Sequence, residues 1–338
     1  MRWVLIALAP SALYSVYLIG TNALSVILVS VLSCLGVEVI WHNLRDGKHV
    51  SRTWWELVFL LAIPLLGMVP ALGAFVQWIE CVAILVVLWF EREHRFDGSA
   101  AVTGLLLAMV LPPMIPWWVP FFGAILAIAI GKEIFGGLGY NVFNPALVAR
   151  AALLISWPRY LTAGWFKPVV DASTSATPLV LFKNRLGAEV SAVYGPLLFS
   201  NTGGCIGEVS AFLLLLGGLV LAWKKVIHVE IPLAYLGTMA VFAALAHNDP
   251  IFHLLAGGAM LGAWFMATDY VTSPLTTKGR ILFGVGCGFI TMLLRLYGKA
   301  PEGVTYAILF MNMLTPLIDR SLRPRVYGHI AKPVRGGK

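Results

Sequence analysis

Between Trp157 and Gly203 a very apolar chain meets its longest polar interruption, and inside it lies Asp171-Ala-Ser-Thr-Ser-Ala-Thr177-Pro-Leu179. Ser173, Thr174, Ser175 and Thr177 bring four hydroxyls into five positions, with Ala176 between the last two. Pro178 disfavours helix at Thr177, because its ring clashes with a helical preceding residue. Thr177 is therefore a hydroxyl nucleophile on extended backbone with slim neighbours. That suits a residue which another enzyme must reach and modify. The plain alternative is a Ser/Thr-rich surface turn. A second chemistry rests on carboxylates in or beside long apolar runs: Asp97, Glu133, Asp269 and Asp319, with Glu38 and Glu80 behind them. Ionisable groups placed there are costly and point to ion passage unless they cap, pair or sit at an interface.

The elements that must position these groups are membrane spans. Of the 338 residues 59% are hydrophobic and 12% charged, with a mean hydropathy of +0.85. Soluble domains carry about a quarter charged residues, so the chain reads as an all-α integral membrane protein. Apolar segments run near Trp3–Ile19, Ala23–Trp41, Trp55–Leu72, Phe75–Phe90, Ser99–Leu111, Trp117–Ile134 and Asn144–Trp157. After the polar loop come Cys205–Trp223, Ile227–Ala246, Ile251–Thr268, Ile281–Tyr297 and Val304–Leu317. The first lacks a small-residue cleavage site and another span follows it, so it reads as a retained span. Several segments are short or broken, as at Pro112-Pro113 and Asn144-Pro145. Such half-helices survive in a bilayer when buried in protein or lining a cavity. The organisation expected is 1–157 as a first membrane half, 158–203 as the loop, 204–320 as a second half and 321–338 as a basic tail.

Lys and Arg placement orients the bundle. With the N-terminus inside, the inner loops and their edges hold Arg45, Lys48, Arg52, Arg92, Arg95, Lys132, Lys224, Lys225, Lys278 and Arg280, and the tail adds Arg320, Arg323 and Arg325. Both termini are then cytoplasmic and Thr177 is extracytoplasmic. The net charge of +8 is explained by this orientation, so membrane lipid is the expected contact and nucleic acid is not. A shift of the first half onto the second places Pro113 on Pro274, Phe122-Gly123 on Phe283-Gly284 and Ala146 on Ala307. The fold expected is thus a multi-span bundle with two weakly similar halves and broken half-helices, an arrangement common in transporters.

Other residues carry weaker signals. In Gly136-Gly-Leu-Gly-Tyr-Asn-Val-Phe-Asn-Pro145, Asn141 and Asn144 can cap a helix or donate to a ligand carbonyl. Cys34, Cys81, Cys205 and Cys287 form no C-x-x-C pair and read as small buried hydrophobes, and no metal site is expected. His228, His247 and His253 read as interfacial or capping residues. Arg150 and Arg295 suit a flavin or lipid phosphate, or an internal ion pair.

Asp171, Thr174, Ala176 and Thr177 fill the four specified positions of a stretch that resembles the flavinylation motif D-x-x-[S/T]-x-A-[S/T]. The resemblance implies FMN joined through its phosphate to Thr177 by a flavin transferase, with Asp171, Thr174, Ser175 and Ala176 around it. Further blocks are Asp97-Gly-Ser-Ala-Ala-Val-Thr-Gly104, Gly131-Lys-Glu-Ile-Phe-Gly-Gly137, Tyr140-Asn-Val-Phe-Asn-Pro-Ala146, Gly204-Cys-Ile-Gly-Glu208 and Met266-Ala-Thr-Asp-Tyr-Val-Thr-Ser-Pro274. Pro301-Glu-Gly303, Pro316-Leu-Ile-Asp319 and Arg323-Pro-Arg-Val-Tyr-Gly-His329 complete them. Together they resemble the family that holds the D subunit of the Rnf electron-transport complex and the B subunit of the sodium-translocating NADH:quinone reductase. The short start before Trp3 favours the former, while Trp54–Glu93 holds two apolar segments not matched to its usual pattern.

That resemblance implies a redox subunit of an ion pump in the prokaryotic inner membrane. Electrons between reduced ferredoxin and NAD would pass through flavins and iron–sulfur centres spread over several subunits, coupled to movement of Na⁺ or H⁺. Partners implied are the other Rnf subunits, including a second flavinylated one, and the transferase. A second flavin, non-covalent riboflavin, is expected within the bundle. Asp97 and Asp319, at inner segment ends and within family blocks, are the favoured cation-entry carboxylates, ahead of Glu133 and Asp269. The alternatives are a quinone-reductase subunit, or a passive solute channel of similar architecture with Thr177 unmodified.

Overall fold

The computed structural model describes residues 1–45, 98–163, 194–199, 204–298 and 303–323. Asp97, Glu80, the Trp54–Glu93 segments, the Asp171–Thr177 motif and the tail beyond 323 lie outside the described residues. All regular structure among the described residues is helical. The first half contains α1 (Arg2–Ile19), α2 (Thr21–Arg45), α3 (Ser99–Met109), α4 (Trp118–Ile125, continued by a π-helical stretch Leu126–Ile130), α5 (Pro145–Ser156) and α6 (Pro158–Ala163). After α7 (Tyr194–Phe199), the second half contains α8 (Ala211–Trp223), α9 (Glu230–Leu245), α10 (Pro250–Leu255), α11 (Ala259–Leu261, continued by a π-helical stretch Gly262–Met266), α12 (Thr277–Tyr297) and α13 (Val304–Ser321).

The chain is an all-α membrane protein. Four stretches are long and apolar enough to cross a bilayer: Arg2–Ile19, Thr21–Arg45, Trp118–Phe135 and Thr277–Tyr297. The helices Ser99–Met109, Pro145–Ser156, Ala211–Trp223 and Glu230–Leu245 are apolar but shorter. Leu13, Tyr17, Leu233, Leu245 and Leu317 stand exposed, as expected of faces that meet lipid or other subunits.

Local chemistry sets the element ends. The segment expected over Ile251–Thr268 is broken, because Gly257 and Gly258 both take left-handed backbone (φ 67° and 66°) that no right-handed helix continues through. The segment expected from Ile281 starts earlier, at Thr277. There the Thr276 hydroxyl accepts the Gly279 N–H at 3.1 Å, so the cap carries Lys278 and Arg280 into the helix. Arg295 donates to the carbonyls of His253 (2.5 Å), Ala256 (2.8 Å) and Gly257 (3.0 Å), satisfying the open end of α10. Both terminal nitrogens of its guanidinium are thus engaged on backbone. His253, expected at an interface or as a cap, is buried.

Close helix contacts rest on glycine. α2 packs on α3 where a Cβ on Gly104 would stand 2.7 Å from Val31 Cα. α9 packs on α12 where Cβ atoms on Gly284 and Gly288 would meet the carbonyl oxygens of Ile231 and Tyr235 at 2.7 and 2.5 Å. Small residues at four-residue spacing let membrane helices approach this closely. Gly288→Leu is expected to destabilise the chain by about 1–3 kcal/mol or more through overpacking against backbone that cannot yield. Gly237→Leu is the control, since a Cβ there meets nothing within 4 Å. Equal thermal midpoints for the two purified variants would show that the α9–α12 contact is not so tight.

Candidate functional site

The ends of several segments meet around one cavity of about 100 Å³. α3 contributes Ser99 and Thr103, the end of the Trp118–Phe135 span contributes Lys132, and the glycine-rich turn contributes Asn141 and Asn144. The π-helical end of α11 brings Trp264, Phe265, Thr268, Asp269 and Tyr270, and Met1, Val4, Leu221 and Ile227 close the apolar side. At the opposite end of α4, Trp118 packs edge-on against Trp157 (5.3 Å) and Tyr160 (5.4 Å), where the chain leaves for the Thr177 loop. Aromatic groups of this kind favour a membrane–water interface.

The cavity wall is built from caps and π turns. Asn144 Oδ1 accepts from the N–H groups of Ala146 (3.1 Å) and Leu147 (3.4 Å), with Pro145 at the first helical position of α5. Its Nδ2 donates to Met266 O at 3.2 Å and so ties α5 to the end of α11. The capping role expected for Asn144 is therefore present, and it occupies both ends of the amide. Glycines again permit the wall. A Cβ on Gly218 of α8 would lie 2.5 Å from the Trp264 ring, and one on Gly217 would lie 3.1 Å from Phe265. π-helical stretches often mark functional positions, and both described here adjoin this cavity. Asn144→Ala is expected to cost about 1 kcal/mol for the cap, plus the link to Met266, seen as a lowered thermal midpoint. No change would mean that neither the cap nor the link to Met266 holds the cavity wall.

Asp269 stands at the rim. Its carboxylate accepts the Thr272 hydroxyl at 3.3 Å, and the Asn141 side chain and the Val271 and Tyr270 amides lie beside it. Burial pushes its pKa above the ordinary carboxylate range, and these hydrogen bonds pull the other way. Asp319 does not line the cavity. Its Oδ1 accepts the Leu275 N–H at 3.0 Å and pins the turn before α12, where Arg280 holds the Leu275 and Pro274 carbonyls.

Lys132 departs from its sequence reading. It counts as an inner-loop cation by position, yet its side chain is only 3% exposed. Nζ pairs with Glu38 of α2, donates to Ser99 Oγ at 2.6 Å and lies 3.5 Å from Glu133 Oε1. The π-helical stretch and the following 3-10 turn (Glu133–Phe135) fold this residue inward instead of out to solvent. Glu38 was visible in the sequence as a carboxylate in an apolar run, but its partner 94 residues away was not. Elsewhere, Arg150 Nη2 lies 3.7 Å from Cys205 Sγ and shares a small internal pocket with Glu208 and Thr305. Cys34, Cys205 and Cys287 are buried thiols.

The sequence profile of the NQR2, RnfD, RnfE family matches residues 1–88 and 44–328. The chain belongs to this family. The two matched stretches overlap over residues 44–88. Among curated relatives, the D subunit of the sodium-translocating ferredoxin:NAD⁺ oxidoreductase complex of Acetobacterium woodii is 46% identical, over 83% of this chain and 92% of that one. The D subunit of the proton-translocating ferredoxin:NAD⁺ oxidoreductase complex of Clostridium ljungdahlii is 41% identical, over 85% of this chain and 94% of that one. The D subunit of the ion-translocating oxidoreductase complex of Stutzerimonas stutzeri is 41% identical, over 74% of this chain and 81% of that one.

Proposed function

We propose that this chain is the flavin-carrying membrane subunit of an Rnf-type complex, in which electron transfer between ferredoxin and NAD drives Na⁺ or H⁺ across the membrane. The observation that carries this is the Asp171-x-x-Thr174-x-Ala176-Thr177 pattern in a polar loop of a chain from the NQR2, RnfD, RnfE family. Relatives of similar identity are named for sodium in one case and protons in another, so likeness alone does not choose the ion.

In this reading Thr177 Oγ holds FMN as a phosphoester, placed there by a flavin transferase. The flavin supplies a redox centre that accepts and passes electrons. The chain contributes the attachment point, the orientation of the loop and the electrostatic surroundings. Its partners are the remaining Rnf subunits, including a second flavinylated one. It acts as a subunit and is not expected to be active alone.

A second, non-covalent flavin fits the inner cavity only in part. Asn141, Thr268 and Asp269 suit the polar edge of a flavin ring, and Trp264, Phe265 and Tyr270 suit its faces. The volume is less than the roughly 150 Å³ that accepts a benzene ring. A tricyclic ring therefore needs the cavity to open.

The test is flavin fluorescence of the denatured chain on a gel after co-expression with a flavin transferase. A fluorescent band is expected, because a phosphoester survives denaturation and a non-covalent flavin is lost. A dark band, with the transferase shown active on another substrate, overturns the covalent-flavin reading and favours a passive channel.

A further inference from the structure

Glu133 opens the 3-10 turn at the end of the Trp118–Phe135 span, and its side chain is 1% exposed. Among the described residues neither of its carboxylate oxygens has a hydrogen-bond partner. The nearest cation, Lys132 Nζ, is 3.5 Å from Oε1, and it spends its close contacts on Glu38 and on Ser99 Oγ. The backbone returns over the carboxylate: the Gly137 N–H bonds to Lys132 O at 3.2 Å, and a Cβ on Gly137 would stand 3.5 Å from Oε2. Gly136 and Gly137 both hold left-handed backbone (φ 116° and 94°), which lets the turn double back in this way.

An ionised carboxylate away from water is strongly disfavoured unless it is paired and hydrogen-bonded. Here two carboxylates share one ammonium, and the one farther from it accepts no hydrogen bond. Among the described residues the titratable groups facing Glu133 are Lys132 on its own turn and Glu38 from α2, with the Ser99 hydroxyl from α3. Among the described residues no group of three His, Cys, Asp or Glu side chains could hold a metal ion.

We propose that Glu133 is an intramembrane binding site for one positive charge, a proton or a sodium-sized cation, with Lys132 as its fixed counter-charge. The site stands on the burial and missing hydrogen bonds of Glu133 and is independent of the flavin on Thr177. It becomes part of an ion path only if the proposed redox role holds.

Infrared difference spectroscopy on the purified, detergent-solubilised complex tests it. Spectra are taken on replacing Na⁺ by choline at constant pH, and on replacing H₂O by D₂O, for wild type and Glu133→Gln. A Na⁺-dependent carboxylate band lost in the variant identifies a bound cation. A carboxylic-acid band that shifts in D₂O, ignores Na⁺ and is lost in the variant identifies a bound proton. Either supports the site. Superimposable wild-type and variant spectra in both exchanges overturn it, leaving Glu133 a structural partner of Lys132. If Glu133→Gln does not assemble, Glu133→Asp replaces it: the band is expected to move, and an unmoved band overturns the proposal. Because the complex can show this band whether or not the denatured chain fluoresces, the two proposals fail separately.

Discussion

Thr177→Val is expected to give a chain that migrates as wild type on a denaturing gel and shows no flavin fluorescence. Valine keeps the size and β-branching of threonine and removes only the hydroxyl, so the loop backbone is undisturbed. No phosphoester can form at a methyl group, and the expected loss is complete. Thr174 and Ser175 are the internal controls. They lie close to Thr177 in the chain, but only Thr177 directly precedes a proline. If Thr177→Val stays fluorescent, the transferase has used one of those hydroxyls, and Thr174→Val and Ser175→Ala name which. The presence of the other subunits should not matter to this result, because the bond is made to the chain itself.

Lys132→Met is expected to destabilise the assembly by about 3–5 kcal/mol, the usual consequence of removing one partner from a buried ion pair. Methionine keeps most of the side-chain volume, so the effect isolates the charge. Glu38 and Glu133 then face each other's surroundings without the ammonium between them, and Ser99 Oγ loses its donor. The thermal midpoint of the purified complex should fall sharply, with reduced yield. Adding Glu38→Gln to Lys132→Met removes one uncompensated charge and should restore part of the loss. A double variant as unstable as the single would show that Glu38 is not what the ammonium stabilises. Such a cycle is the direct way to separate the pair from its neighbours.

Features set by neighbouring residues were legible in the sequence alone. The spans follow from runs of apolar residues, and most described helices begin or end within a few positions of the expected segments. Asn144-Pro145 announces a capped helix start, and α5 begins there with both amide ends engaged. Two of the places where segment ends moved are also local in cause. Gly257 and Gly258 break one helix by left-handed backbone, and the Thr276 cap starts another early. The carboxylates were equally visible as types, yet their roles were not. Asp269 is held at the cavity rim, Asp319 pins a turn, and Glu133 is buried beside an ammonium that serves another helix. From its position alone Lys132 looked like one more inner-face cation.

The composition, the hydroxyl pattern ending at Thr177 and the distribution of Lys and Arg were enough to define a helical membrane protein and its candidate attachment site. Each depends on residue type and on spacing over a turn or a span, which is information the chain carries locally. The meeting of Glu38, Ser99 and Lys132, and the cavity beside them, needed the packed bundle. Those groups come from helices far apart in the chain, and what brings them together is close packing of small residues such as Gly104 against Val31. Charge pairing in a medium that excludes water then makes that packing decisive, because an ammonium left without its carboxylates there would be too costly to keep.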